Sequence, residues 1–231
     1  MTPTSLSLQV SDAPVPQVTA ALHTPSRRRG PAVLLAPGAG GDLDGPGLYA
    51  LAEVLASLGL PVVRTNLPHH EGKRRAAPKA ERSVQHYRQI VAAAQQATGL
   101  KGPWILGGKS YGGRVASMAV ADGLPAAGLL FYGYPLHPPG KPDRLRVEHW
   151  PHVGVPCLFL QGTRDTFATD DLLARSVRKL PRRSTVHLVE GADHSLRITG
   201  KASPTGTPSS EAETVAGLRP VVADWIRGLE P

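Results

Sequence analysis

The sequence predicts an α/β protein with a mostly parallel central sheet and helices on both faces. Short β-rich apolar runs alternate along the chain with longer amphipathic or alanine-rich segments, which is the pattern of strand–helix repeats. Hydrophobic residues make up 41% of the 231 positions, enough for one large core, and no apolar run approaches the roughly 20 residues of a membrane span. We therefore expect a single domain over residues 1–231, with flexible stretches at residues 1–15 and 199–210.

The predicted strands are short runs rich in β-branched and other apolar residues, bounded by glycine, proline or polar residues. The first two would form an antiparallel pair that opens the sheet. The run at residues 104–106 leads into a glycine-rich turn, and the last two precede polar loops. In chain order the runs cover residues 6–10, 18–23, 32–36, 61–64, 104–106, 127–132, 157–160 and 185–189.

The predicted helices follow the strands at residues 49–58, 81–97, 114–121 and 170–180, and Gly59 ends the first of them. A last helical pattern runs over residues 215–229, where Pro220 predicts a break or a new start. The proline-rich residues 133–156 are too few for a large cap domain. The low-complexity segment TGKASPTGTPSS at residues 199–210 predicts a flexible loop.

The chain is basic, with a formal net charge of +8 concentrated at residues 27–29, 73–75 and 178–183. Such a surface is compatible with plain solvation, with attraction of anionic substrates, or with unspecific nucleic-acid binding. No aromatic residues interleave with the basic runs, so we expect no specific nucleic-acid partner. The opening MTPTSLSLQVSDAPVPQ lacks a basic and then apolar leader, which favours a cytoplasmic protein without membrane partners. The lone Cys157 is expected to be a buried strand residue.

The stretch WILGGKSYGGR at residues 104–114 is the most informative motif. Gly108 to Gly112 fits G-x-S-x-G, the nucleophile elbow in which a serine sits on a sharp strand-to-helix turn. The flanking glycines would clear the space that the turn needs, and the Tyr111 amide at the helix start would face a developing oxyanion. The alternative is a tight turn with an idle Ser110.

A serine nucleophile needs a base and a group that orients the base, and the chain places both after later strands. Asp165 follows the strand CLFLQ and His194 follows TVHLV, so both would lie with Ser110 at the carboxyl edge of the sheet. Separately, Asp165 is compatible with a turn or helix cap and His194 with a solvated loop. Their order after Ser110 favours a Ser-Asp-His triad.

The glycine-rich loop Pro37-Gly38-Ala39-Gly40-Gly41 follows an early strand. In this position we expect it to provide the second oxyanion donor, with the Ala39 N–H as the best candidate beside that of Tyr111. Phosphate binding is the competing interpretation. The loop lacks the G-x-x-x-x-G-K-[ST] spacing and departs from G-x-G-x-x-G at the third glycine, so we expect no nucleotide cofactor.

Five stretches together resemble a known family: LLAPGAGGDLDGPG, ILGGKSYGGRVASMAV, YGYPLHPPGKPDRLRVEH, LFLQGTRDTF and EGADHSL. They are similar to the small bacterial α/β-hydrolases related to dienelactone hydrolase. That family is also similar to testis-expressed protein 30 and to the hydrolase-like domain of a chromatin acetyltransferase complex subunit. The resemblance implies the α/β-hydrolase fold without a large cap, and it implies Ser110, Asp165 and His194 as the triad. Dienelactone hydrolases carry cysteine where Ser110 stands, so their substrate is not transferred to this chain.

Two further segments are candidates for the substrate pocket. The loop that contains His70 follows a strand and would reach the active-site edge with Gly38, although a surface loop is the alternative. Tyr134 and His137 belong to YPLHPPG, whose prolines would form either a stiff wall over the site or a rigid connector. The His70-Glu71 pair has no third ligand at usable spacing, and a serine triad needs no metal, so none is expected.

These observations favour a serine hydrolase, of carboxylesterase type, that acts on a small ester, thioester or related acyl substrate. The basic surface makes an anionic substrate an option. A non-catalytic interaction module on the same fold and an acyltransferase that uses the same triad remain as alternatives.

Overall fold

An eight-stranded mixed sheet lies at the centre of the protein, in a computed structural model that describes residues 2–73, 76–203 and 206–229. Its strands are β1 (Thr4–Gln9), β2 (Gln17–His23), β3 (Val33–Ala36), β4 (Val62–Thr65), β5 (Trp104–Lys109), β6 (Ala126–Tyr132), β7 (Cys157–Gly162) and β8 (Ser184–Val189). The order across the sheet is β1-β2-β4-β3-β5-β6-β7-β8. β1 and β2 pair antiparallel, as do β2 and β4, whereas β3 to β8 are joined in parallel pairs.

Helices connect the parallel strands and cover both faces of the sheet. They are α1 (Pro46–Ser57), α2 (Pro68–Glu71), α3 (Val84–Thr98), α4 (Tyr111–Ala121), α5 (Asp170–Ser176), α6 (Glu211–Gly217) and α7 (Arg219–Arg227). Short 3-10 turns lie at Ala80–Ser83, Trp150–His152 and Val177–Lys179. Among the residues in the described ranges, no helix is both long enough and apolar enough to cross a lipid bilayer.

The core consists of two apolar layers, one on each face of the sheet. In β3, Leu34 points to the layer that α3 and α4 cover, whereas Val33 and Leu35 point to the layer that α1, α6 and α7 cover. All four residues of β3 are buried, as expected for a parallel strand with helices on both sides. This arrangement brings the loops after β3, β4, β5, β7 and β8 to one edge of the sheet.

The main elements predicted from the sequence are present. The predicted antiparallel opening pair exists, and Thr4–Gln9 pairs with β2 in the sheet. The segment 199–210 is closed by a bridge between Ile198 and Ser209 in its described part, and residues 204–205 lie outside the described residues. A separate helix, α7, begins at Arg219, and Pro220 lies in its first turn, where a proline loses no intrahelical hydrogen bond.

Local backbone geometry explains two boundaries that differ from the sequence prediction. β5 continues through Gly107 and Gly108 to Lys109 because both glycines adopt positive φ angles, 159° and 135°. α4 then starts directly after Ser110 instead of at Arg114. The strand and the helix therefore leave a single residue between them, Ser110.

Residues 133–156 connect β6 to β7 without forming a cap. Tyr134, Leu136, Val147, Trp150 and Val153 are all buried and belong to the same apolar layer as α3 and α4. Because this connection packs into the core, it covers the sheet rather than enclosing the carboxyl edge. Within the part of the chain that the structure describes, no large lid covers this edge.

Candidate active site

Ser110 occupies a sharp turn between β5 and α4. Its backbone angles, φ 48° and ψ −112°, lie in a region that residues with a side chain rarely adopt. The turn needs glycine on both sides, because a Cβ on Gly108 or Gly112 would collide with the carbonyl oxygen of Ala36. The sequence G-K-S-Y-G thus has a steric cause, and it raises the Ser110 side chain at the carboxyl edge of the sheet.

Three side chains from different loops form a continuous hydrogen-bonded series. The distance between Ser110 Oγ and His194 Nε2 is 2.9 Å, and that between His194 Nδ1 and Asp165 Oδ2 is 2.7 Å. Asp165 comes from the loop after β7, and its side chain has no exposed surface, whereas that of His194 is 21% exposed. The structure therefore brings the three predicted residues within hydrogen-bond distance of one another.

The surroundings of Asp165 determine how His194 is used. Oδ1 accepts a hydrogen bond of 2.7 Å from the Phe167 N–H, and Oδ2 accepts one from the Gln161 side-chain amide. These two contacts fix the direction of the carboxylate, so that Oδ2 faces His194 Nδ1. In the tautomer with its proton on Nδ1, His194 donates to Asp165, and Nε2 can accept the Ser110 hydroxyl proton. The Phe167 ring lies over the imidazole, with 4.4 Å between ring centroids.

The loop that carries His194 is anchored on the residue that follows the histidine. Lys109 Nζ donates to Ser195 Oγ at 3.0 Å and to Glu211 Oε1 at 2.8 Å. The Tyr132 hydroxyl lies 3.0 Å from the Ser195 carbonyl oxygen and donates to the same Glu211 carboxylate. Burial, together with the hydrogen bond to Glu211, raises the pKa of Tyr132, so the phenol remains a donor. The elbow, the His194 loop and the start of α6 are thus linked by one polar cluster.

The loop after β3 lies beside the nucleophile. A Cβ on Gly38 would lie 3.7 Å from Ser110 Cβ, so the glycine is in direct neighbourhood of the serine. His69 Nε2 is 3.0 Å from the Ala39 carbonyl oxygen, and its ring contacts the Tyr111 ring edge-on, with centroids 5.6 Å apart. Tyr111 is the first residue of α4, where backbone N–H groups have no acceptor within the helix. His69 therefore connects the two segments that carry the predicted oxyanion donors.

The remaining predicted pocket residues lie elsewhere. The Tyr134 side chain has no exposed surface and packs among Phe131, Trp150 and Phe159, so it cannot contact a substrate in this arrangement. His137 is 3% exposed, with Nδ1 2.8 Å from the Pro138 carbonyl oxygen. His70 is partly exposed on α2 and has no hydrogen bond to the triad among the described contacts. Hydrophobic burial thus explains why the YPLHPPG segment packs inward.

Sequence reasoning missed three contributors to the site: Gln161, His69 and the Lys109–Glu211 pair. A usable signal existed for Gln161, because a polar residue at the end of the apolar strand CLFLQ needs a buried partner. His69 is next to His70, the predicted pocket residue, but which of the two histidines faces the site depends on the geometry of α2. The ion pair joins residues 102 positions apart and left no local pattern.

Two other predictions concern groups outside the triad. Burial raises the pKa of the Cys157 thiol to about 12, so this residue of β7 is an unreactive core thiol. Within the described ranges no group of three or more His, Cys, Asp or Glu side chains has the arrangement of a metal site. Of the basic runs, Arg74 and Arg75 lie outside the described residues.

Comparisons with known proteins agree with the fold. The family described as "Alpha/beta hydrolase domain" matches residues 29–218. A serine hydrolase homologue from Coxiella burnetii is 16% identical with a TM-score of 0.67, over 100% of this chain and 99% of its own. Dienelactone hydrolase from Anabaena variabilis is 18% identical with a TM-score of 0.71, over 99% of each chain. Est1E from Butyrivibrio proteoclasticus is 12% identical with a TM-score of 0.73, over 97% of this chain and 98% of its own.

Proposed function

The chain belongs to the alpha/beta hydrolase domain family, and we propose that it is a serine hydrolase that cleaves a small ester, thioester or related acyl substrate. The observation that carries the proposal is the hydrogen-bonded series Ser110–His194–Asp165, with distances of 2.9 and 2.7 Å. Both distances fall in the range expected for a nucleophile, its base and the group that orients the base. The match to esterase and hydrolase folds supports the same reaction class.

In the first half of the reaction, His194 Nε2 takes the proton of the Ser110 hydroxyl as Oγ attacks the acyl carbon. Asp165 keeps the imidazole oriented and stabilises its charged form. The N–H groups of Ala39 and Tyr111 would hold the oxyanion, and they act more strongly as negative charge develops on it. His194 then returns the proton to the leaving alcohol or thiol, and an acyl-enzyme on Ser110 remains.

In the second half, His194 accepts a proton from water, which attacks the acyl-enzyme. The tetrahedral intermediate collapses, Ser110 Oγ leaves and regains its proton from His194, and the carboxylic acid is released. The absence of a large cap supports an open site for small or flexible substrates. The net charge of +8 supports, in addition, attraction of substrates with an anionic group.

The experiment that tests this function is labelling with a fluorophosphonate, followed by intact-mass analysis and peptide mapping. We expect one adduct, on Ser110, and hydrolysis of p-nitrophenyl esters that declines with acyl chain length. Ser110→Ala should lose the adduct and lower kcat by about 10⁴-fold or more. Ser5→Ala, a matched change at an exposed position of β1, should leave both unchanged.

Three outcomes would contradict the proposal. A folded wild-type protein that neither reacts with the probe nor hydrolyses any ester of the series would favour a non-catalytic interaction module. Ester turnover that survives Ser110→Ala would place the chemistry on another group. Transfer of the acyl group to added alcohols or amines in preference to water would assign the same triad to an acyltransferase.

A further inference from the structure

Gln161 is a fully buried polar residue in the strand that leads to the acid of the triad. It is the second-last residue of β7, every residue of which is buried, and it has no exposed surface. An amide in such a place costs folding free energy unless its donors and acceptor find partners. The hydrogen-bond partners of the Gln161 amide therefore indicate its role.

The two ends of the Gln161 amide contact different segments. Oε1 accepts a hydrogen bond of 2.9 Å from the Tyr134 N–H, and Nε2 donates to Asp165 Oδ2. A backbone N–H can only donate, so the amide oxygen must face Tyr134. This contact fixes the orientation of the amide and directs its nitrogen at the carboxylate of Asp165.

We propose that Gln161 is a positioning residue of the triad, which holds the Asp165 carboxylate in the one rotation that fits His194. The inference rests on the proposed serine hydrolase function. The terminal torsion of an aspartate is broad, so the side chain alone does not define the direction of its oxygens. Here Oδ2 is the oxygen that binds His194 Nδ1, and it is also the oxygen that Gln161 holds.

The same contact connects the triad to residues 133–156. Gly133 lies so close to the His194 loop that a Cβ on it would collide with the His194 carbonyl oxygen, and the adjacent Tyr134 N–H holds Gln161. The start of the β6–β7 connection therefore contacts the His194 loop directly through the Gly133 backbone. It contacts Asp165 indirectly, through the hydrogen bond from Tyr134 to Gln161. This gives the YPLHPPG segment a role at the site without contact of its side chains with substrate.

Gln161→Glu tests the donor directly, because only a protonated glutamate keeps both contacts. The protonated carboxyl can accept from Tyr134 and donate to Asp165, whereas the ionised form cannot donate and places a second negative charge beside Asp165. Two carboxylates in contact do not both ionise readily. We expect kcat/KM of Q161E to fall about tenfold or more between roughly pH 6 and pH 9, in a range where the wild type does not fall.

Gln161→Met removes the donor while nearly keeping the side-chain length. We expect kcat to fall by about tenfold or more with KM changed by less than about threefold, since substrate contacts remain. Histidine-selective ¹⁵N NMR should show His194 with its proton on Nδ1 in the wild type and a mixture of tautomers in Q161M. Gln95→Met and Gln95→Glu are matched controls on α3, where the amide donates to the Gly102 carbonyl oxygen before β5, and both should behave as wild type.

Parallel pH profiles of Q161E and the wild type, or a single Nδ1–H tautomer with unchanged kcat in Q161M, would overturn the positioning role. If Q161M fails to fold, the pH profile of Q161E tests the positioning role, because it compares kcat/KM of the same folded variant at different pH values. Failure of the proposed function is a separate result. A wild type that does not react with the fluorophosphonate refutes the hydrolase, while the NMR tautomer still measures what Gln161 does to Asp165 and His194.

Discussion

At the scale of single residues, Ser110 is the proposed nucleophile and also has a strained backbone conformation. With φ 48° and ψ −112°, the residue carries strain of about 1–3 kcal/mol that the rest of the fold must offset. The glycines on either side remove the collisions around it but not the strain at Ser110 itself. The position of Ser110 therefore lowers the free energy of unfolding. Variants that lack the hydroxyl can be used to measure this backbone effect.

We predict that Ser110→Gly is more stable than Ser110→Ala by about 1 kcal/mol, because glycine adopts these angles without strain. Both variants lack the hydroxyl, so urea unfolding at one pH compares only the backbone effect. Within α4, Ser117 is the matched control, where helical angles should reverse the order and make the glycine variant less stable than the alanine variant. An alanine variant at position 110 that equals or exceeds the glycine variant would show that the turn is unstrained.

At the scale of secondary-structure elements, the end of β5 is tied to the start of α6. The side chains of Lys109 and Glu211 are 22% and 12% exposed and form an ion pair of 2.8 Å, with Ser195 and Tyr132 in the same cluster. Partly buried charges depend on each other, since removal of one leaves the other poorly solvated. This cluster joins the nucleophile turn, the His194 loop and a helix from the C-terminal part of the chain.

We predict that Lys109→Met and Glu211→Gln each lower the free energy of unfolding by about 1–2 kcal/mol. The double variant should lose less than the sum, by about 1 kcal/mol, because the second change removes the stranded partner. Urea unfolding of the four proteins gives this coupling energy. Glu213→Gln, on the exposed side of the same helix, should show no coupling to Lys109. Additive losses at Lys109 and Glu211 would mean that the pair is not a linked unit.

At the scale of the whole molecule, both faces of the sheet are covered, and several histidines are enclosed as a result. Burial lowers the pKa of His149 to about 4, with the nearby Arg114 charge acting in the same direction. Its Nε2 lies 2.7 Å from Ser117 Oγ, on the helix that begins at the nucleophile. Burial also lowers the pKa of His23, although its hydrogen bond with Glu53 opposes the effect. The folded protein thus holds these imidazoles in the neutral form.

We predict that stability decreases as the pH falls from about 6.5 to about 4. The unfolded chain binds a proton at His149 near pH 6.5, whereas the folded protein does so only near pH 4, so protons favour unfolding in this interval. Between about pH 7 and pH 5 the wild type should lose about 1–2 kcal/mol more than His149→Gln in urea unfolding. The exposed His152 is the control position. Equal pH dependence of the wild type and His149→Gln would contradict a neutral buried imidazole at this position.

The sequence alone determined the order of strands and helices, the mostly parallel sheet and the elbow at Ser110. These depend on local patterns: apolar runs, glycines that permit a sharp turn, and a proline in the first turn of α7. It also indicated Asp165 and His194, because residues that follow parallel strands collect at one edge of the sheet. In the structure the three side chains lie within hydrogen-bond distance of one another.

Only the tertiary structure decided which neighbours support those three residues. His69 and the Lys109–Glu211 pair act across contacts between segments far apart in the chain. Gln161 lies four positions before Asp165, but its amide is oriented by the distant Tyr134 N–H. The same holds for Tyr134. Its position after a strand predicted a pocket residue, but in the structure its side chain is packed in the core. Local sequence determines the secondary-structure element and the position in it that a residue occupies. The side chains packed around the residue determine the orientation of its side chain.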